Sequence, residues 1–269
     1  MNILLLGDIV GPSGREALNN NLPNIIKKKK LDFVILNGEN AADEGVGITK
    51  KIFENFISAG ADVITTGNHV WDQKETMEFI GSEKRLLRPQ NLVKGSPGNG
   101  FGIFESKNKK KVAVINLMGN IFMKKCDDVF LEAKKYIETV ILKKNADFIV
   151  VDMHGETTSE KMAMGYLFDG KVTVVVGTHT HVPTSDYRIL EKGTAYQTDI
   201  GMCGDYDSVI GMNKDNSLKS FLKDSSTTKH YPALGEATIS GLIVNASQKT
   251  GLANKIEPVL LGGVFKEKI

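Results

Sequence analysis

At 269 residues the chain can bury one full hydrophobic core, with room for a small cap built from inserted loops, so a single domain over 1–269 is expected. Its 41% hydrophobic and 25% charged residues are ordinary for a globular protein, and no run reaches the ~20 apolar residues of a membrane span. A net charge of +2 argues against a strong nucleic-acid footprint, and two cysteines without paired spacing (Cys126, Cys203) argue against a disulfide framework or a cysteine zinc site. The start M-N-I-L-L-L-G-D lacks the basic flank of a signal peptide, so a cytoplasmic location is the expectation.

N-I-L-L-L-G at 2–7 reads as a buried strand stopped by glycine. From Pro12 the pattern predicts a loop and then a helix to Lys30. Leu18, Leu22, Ile25 and Ile26 share one face, and Lys27–Lys30 lie where cations suit the helix dipole. D-F-V-I-L-N-G at 32–38 is a second strand, Ile48–Ala59 a helix closed by Gly60, and A-D-V-I-T-T-G at 61–67 a third strand. A short helix near Gln73–Ile80 precedes an irregular stretch from Arg85 to Gly100. F-G-I-F-E-S and K-V-A-V-I-N form a predicted hairpin, with the basic run Lys107–Lys111 at its turn. Val129–Lys144 reads as a helix, 146–152 as a strand, Glu160–Tyr166 as a short helix and 172–177 as a strand. Short β patterns follow at 187–191, 194–197, 238–245 and 253–261. Helix–strand alternation followed by hairpins predicts an α/β fold with parallel βαβ units and antiparallel additions.

Each apolar run ends in a small polar cluster: Asp8, then Glu39-Asn40, then Asn68-His69, then His154 with Asp152 nearby, then His179 and His181. Alone, each has a plain reading. Asp8 could cap a helix, Glu39 and Asn40 could be loop polarity, Asn68 could serve a turn, and His154 could be a satisfied core histidine. Together they would meet at one sheet edge, because open α/β sheets bind ligands outside the carboxyl ends of their strands. Imidazoles, carboxylates and amide oxygens without a thiolate favour iron, manganese, zinc or cobalt. The ligands are too many for one tetrahedral ion and suit a pair bridged by a carboxylate.

The ordered set G-D, G-E-N, G-N-H, a lone H and G-x-H-x-H resembles the calcineurin-like metallophosphoesterase signature over residues 8–181. Val10 stands where that family has its first histidine, and Glu39 where it has a bridging aspartate. These departures, with G-D-I-V-G-P-S-G-R, L-N-G-E-N-A-A and T-G-N-H-V-W-D, resemble the YmdB subfamily, described as phosphodiesterases acting on 2′,3′-cyclic nucleotides with di-iron or manganese centres. The resemblance implies a four-layer sandwich of two mixed sheets flanked by helices. It implies two metal ions, iron or manganese favoured and zinc compatible, and a small-molecule cyclic phosphodiester as substrate. Asp8 and His181, with Asn40 as candidate substitute for the missing imidazole, would hold one ion. Asn68, His154 and His179 would hold the other, with Glu39 bridging. A hydroxide between the metals would attack phosphorus in line, and His69 would act as general acid or, in the plainer reading, orient a neighbouring carboxylate.

Other features are weaker. Arg15, in G-P-S-G-R, is a minor phosphate candidate. Gly45-Val46-Gly47 is a rim or a plain turn, and Trp71 a base stacker or packing residue. The stretches 201–206 and 213–228 are candidates for rim or homo-oligomer contacts. The alternatives to a phosphodiesterase are a phosphomonoesterase or protein phosphatase, and a regulatory protein of nucleotide or RNA metabolism whose metal site senses its ligand.

Overall fold

A computed structural model describes residues 1–265 of the chain. In chain order the elements are β1 (Asn2–Ile9), α1 (Gly11–Lys29), β2 (Phe33–Asn37), α2 (Lys50–Ala59), β3 (Val63–Thr65), α3 (Thr76–Phe79), β4 (Leu86–Leu87), β5 (Phe101–Glu105) and β6 (Lys111–Met118). They continue with α4 (Val129–Thr139), β7 (Phe148–His154), α5 (Thr158–Phe168), β8 (Val174–Thr178), β9 (Arg188–Ile189), β10 (Ala195–Gln197), β11 (Met202–Asp205), α6 (Lys214–Phe221), β12 (Ala237–Ala246) and β13 (Ala253–Leu261).

Two mixed sheets result. One runs β13-β12-β11-β1-β2-β3-β4, the other β5-β6-β7-β8-β10-β9. Strand alternation assigns the layers, because successive side chains point to opposite faces. Ile3, Leu5, Phe33, Ile35, Val112, Val114, Phe148 and Val150 join one buried cluster between the sheets. Leu4, Leu6, Val34 and Leu36 pack instead with Leu18, Leu22, Phe53 and Phe56 of α1 and α2. On the far side, Ile115, Ile149 and Val151 meet Val129, Ala133, Met164 and Phe168 of α4 and α5. The layers are therefore helix, sheet, sheet, helix. The central strands are buried on both faces, which is why they read as unbroken apolar runs; each such side chain contributes about 1.5–3 kcal/mol relative to exposure.

Several boundaries differ from the sequence expectation. Helix α1 starts at Gly11, directly after β1, with Pro12 in its first turn, where a missing N–H costs nothing. Helix α4 stops at Thr139 rather than Lys144. Asp128 caps its start through Phe130 N and Leu131 N, but the β-branched run Thr139-Val140-Ile141 follows, and Asn145 Oδ1 captures Ile141 N at 2.9 Å. Only Thr76–Phe79 of the predicted 73–80 helix is α-helical, whereas α5 extends two residues beyond both ends of its prediction. The 85–100 stretch, irregular by its sequence, contains β4, and the stretch at 201–206 is β11, which enters beside β1 in parallel with Asp8 opposite Met202. Antiparallel β12 pairs only with Asn2–Leu6 of β1, so β11 fills the gap beside the strand's carboxyl end.

Candidate metal centre

The sheet order brings the clusters together. β1, β2 and β3 lie side by side and parallel, as do β6, β7 and β8 in the other sheet. Asp8 sits near the end of β1, Glu39 and Asn40 follow β2, and Asn68 and His69 follow β3. His154 ends β7, while His179 and His181 follow β8. Asp8, Glu39, Asn40, His154 and His181 are buried, and Asn68, His69 and His179 are partly exposed at the mouth.

One half of the centre surrounds His154. Its Nε2 lies 3.0 Å from Glu39 Oε1 and 3.0 Å from Asn68 Oδ1, and its ring stands edge-on to His179 with centroids 4.8 Å apart. Atoms of Glu39, His154 and His179 that could ligate an ion all fall within 4.8 Å of one another. The other half surrounds Asp8. Its Oδ2 accepts His179 N at 3.1 Å, and its Oδ1 stands 3.9 Å from both His181 Nε2 and His154 Nδ1. Gly67 allows this crowding, since a Cβ there would collide with Glu39 Oε2 and His154 Nε2.

The donor set fits metal ions. Thr178 Oγ1 donates its one hydrogen to Asp152 Oδ1 at 2.7 Å, so it must accept from His154 Nδ1–H at 2.8 Å. That leaves the His154 Nε2 lone pair facing two oxygens that are themselves acceptors, an arrangement that calls for a positive charge. His181 follows the same logic: Nδ1–H donates to Ile210 O at 2.7 Å, and Nε2 is left toward Asp8. Asp8 Oδ1 and Asn40 Oδ1 are buried without any hydrogen-bond donor. Two orphaned oxygens beside two correctly oriented imidazoles are what cation ligation requires.

Ionisation is tuned accordingly. Burial raises the Asp8 carboxyl against the pull of His181 and His154, to about 6. Burial also pushes Glu39 up, but the His154 ring outweighs it and lowers Glu39 to about 2. At His154 burial pushes down while Glu39 pushes up and wins, reaching about 9. His179 falls to about 3 through burial first and then the His154 charge. The cluster is thus built around positive charge, supplied by a proton on His154 or by cations that displace it.

His69 hangs at the mouth. Its backbone N–H bonds Glu39 Oε2 at 3.2 Å, and its Nδ1 meets Asp72 Oδ2 at 2.7 Å, while Lys124 Nζ holds the other Asp72 oxygen at 3.3 Å. The His–Asp spacing in T-G-N-H-V-W-D is the sequence signal for this contact. Asp152, named beside His154 in the sequence, joins a buried network with the less visible Thr178, Thr65 and Asn37; its Oδ2 accepts Thr65 Oγ1 at 2.5 Å and Asn37 Nδ2 at 3.3 Å. Glu156 Oε2 also approaches His179 Nε2, at 3.1 Å. Arg15 is directed elsewhere, to Ala41 O and to Asp43 Oδ1, and so fastens the loop after Asn40. That loop is a tied turn, since Asn40 Nδ2 donates to Gly45 O at 2.9 Å. Trp71 is partly buried and packs against the core cluster shared with α1 and α2.

Two mixed sheets between helices, with nitrogen and oxygen donors gathered at the carboxyl ends of their strands, define a fold of the metallophosphoesterase type. A 2′,3′-cyclic-nucleotide 2′-phosphodiesterase of Bacillus subtilis is 45% identical over 261 residues, covering 97% of each chain. A crystal structure described as a novel phosphatase from Mycoplasma pneumoniae superposes with a TM-score of 0.88 at 37% identity, covering 97% of this chain and 93% of that one. A hypothetical protein from Thermus thermophilus superposes equally, at 0.88 and 36% identity, over 98% of this chain and all of its own. The model of the family described as YmdB-like protein matches residues 4–259, and the chain belongs to that family.

Proposed function

We propose that the protein is a dinuclear metal-dependent phosphodiesterase that opens 2′,3′-cyclic nucleotides at the 2′ ester. The observation that carries this reading is the convergence of His154 Nε2, Glu39 Oε1 and Asn68 Oδ1 at 3.0 Å beside the donorless Asp8 Oδ1. The substrate class follows the name of the Bacillus relative.

Asp8 and His181, with Asn40, would hold one ion; Asn68, His154 and His179 would hold the second, and Glu39 would bridge. When bound, the pair supplies an acidified water at neutral pH and neutralises charge on the phosphoryl oxygens. Asp72 accepts the Nδ1 proton of His69 and fixes the ring, leaving Nε2 to carry the proton delivered to the departing ribose oxygen. Water adds across the P–O2′ bond, and the product is a nucleoside 3′-phosphate. No helix among the described residues is long and apolar enough to cross a membrane.

Manganese- or iron-loaded protein tested on 2′,3′-cyclic AMP and bis-p-nitrophenyl phosphate decides the matter. Turnover of both is expected, and hydrolysis of neither overturns the reading. A monoesterase is the second reading, favoured by the likeness to the Mycoplasma phosphatase; a strong preference for p-nitrophenyl phosphate would promote it.

A further inference from the structure

Beside the ligands, the protein buries an ion pair that the proposed chemistry does not use. Lys161 of α5 and Asp199, after β10, stand 2.7 Å apart and are at most 1% exposed. A buried pair of this kind is a weak source of stability, because desolvation offsets much of its attraction. Its geometry addresses the turn between the two histidines. Asp199 Oδ2 accepts both Thr180 N at 3.1 Å and Thr180 Oγ1 at 2.6 Å, and Lys161 Nζ lies 3.5 Å from the same hydroxyl. Asp199 Oδ1 is occupied by Gly201 N at 2.8 Å, so the carboxylate is fixed at both ends.

Thr180 lies between His179 and His181, and both histidines adopt left-handed backbone conformations, with φ of 99° and 65°. Non-glycine residues hold such conformations only where their surroundings over-determine them. The strand before the turn is equally confined: Ile200 N donates to Gly177 O at 3.0 Å, and a Cβ on Gly177 would collide with Thr198 O and the Lys161 stem. We propose that the Lys161–Asp199 pair is a positioning device that clamps Thr180 and thereby sets the divergence of His179 and His181 toward separate cations. The inference rests on the metal-centre reading above. Neither residue touches substrate; they act through the turn, and Lys161 Nζ, 2.7 Å from Asp199 Oδ2, holds that carboxylate in place.

The test is manganese affinity, read from the electron paramagnetic resonance signal of free Mn²⁺ during titration of the metal-free protein. Thr180→Val keeps the side-chain shape and removes the hydroxyl, and its Kd should rise about 10–100-fold, the usual effect of losing a group that orients a ligand. Thr180→Ser should restore affinity to within about two-fold. Unchanged affinity in Thr180→Val overturns the proposal, as does equal weakening by valine and serine. Should Thr180→Val fail to fold, the neutral double variant Lys161→Gln/Asp199→Asn gives the same reading, and wild-type Kd there is equally fatal. A wild type that binds no manganese overturns the metal-centre reading and this inference together, whereas a binding wild type with an indifferent Thr180→Val overturns this inference alone.

Discussion

Thr178→Val removes one oxygen and nothing of the side-chain shape. Thr178 Oγ1 links His154 Nδ1 at 2.8 Å to Asp152 Oδ1 at 2.7 Å, and all three residues are buried. The variant strands a ring N–H and leaves Asp152 with only Thr65 and Asn37 as side-chain donors. Leaving buried polar groups unsatisfied costs about 1–3 kcal/mol each, so a loss of about 2–6 kcal/mol in the metal-free protein is expected, a drop of roughly 4–12 °C in Tm. The second effect is electronic. With the Thr178 bond gone, nothing holds the neutral ring's one proton on Nδ1, and the tautomer protonated on Nε2, which points at Glu39 and Asn68, competes with a cation. Metal affinity should fall about 10–100-fold. Calorimetric melting of the metal-free protein and manganese titration of the folded protein measure the two effects separately. A variant that melts lower yet binds manganese as the wild type does would refute the tautomer argument.

Three further outcomes follow from the site. Gly67→Ala places a Cβ against Glu39 and His154, and should abolish binding of the ion these residues share, which metal analysis after reconstitution would register; full occupancy would show that the crowding relaxes. His69→Ala should retain metal and lose about 10²–10⁴-fold in kcat, with Asp72→Asn losing less; unchanged rates would remove His69 from proton delivery. Protons and cations compete for Asp8, standing at about 6, and for His154, raised to about 9. Manganese affinity should therefore climb from about pH 6 to about pH 9 with proton release on binding, and calorimetric titration in two buffers of different ionisation enthalpy would expose a flat profile if the argument is wrong.

The strand-end clusters are legible in the sequence for a physical reason. A strand buried on both faces is an uninterrupted apolar run, so the polar residue that ends it marks the sheet edge, as Asp8 and Asn68 do. The order of the clusters carries the candidate ligands, but not how each imidazole is oriented. Asp152 stands two residues before His154 in the sequence, whereas Thr178 looks like a minor irregularity after an apolar run, and only pairing of β7 with β8 brings it opposite His154. β11 escapes the sequence pattern because M-C-G-D has no alternation, and its place depends on β12 leaving the carboxyl end of β1 unpaired. Lys161 and Asp199 are 38 residues apart and meet only through tertiary packing, beyond any local pattern.

The central claim is that the two histidines after β8 serve different ions. Metal content per chain after reconstitution with manganese, compared among wild type, His179→Ala and His181→Ala, tests it most directly. Two ions are expected in the wild type and one in each variant. The ion kept by His181→Ala should be lost on further change of Asn68, and the one kept by His179→Ala on change of Asp8. A single ion in the wild type, or both ions lost together from either histidine variant, would contradict the account.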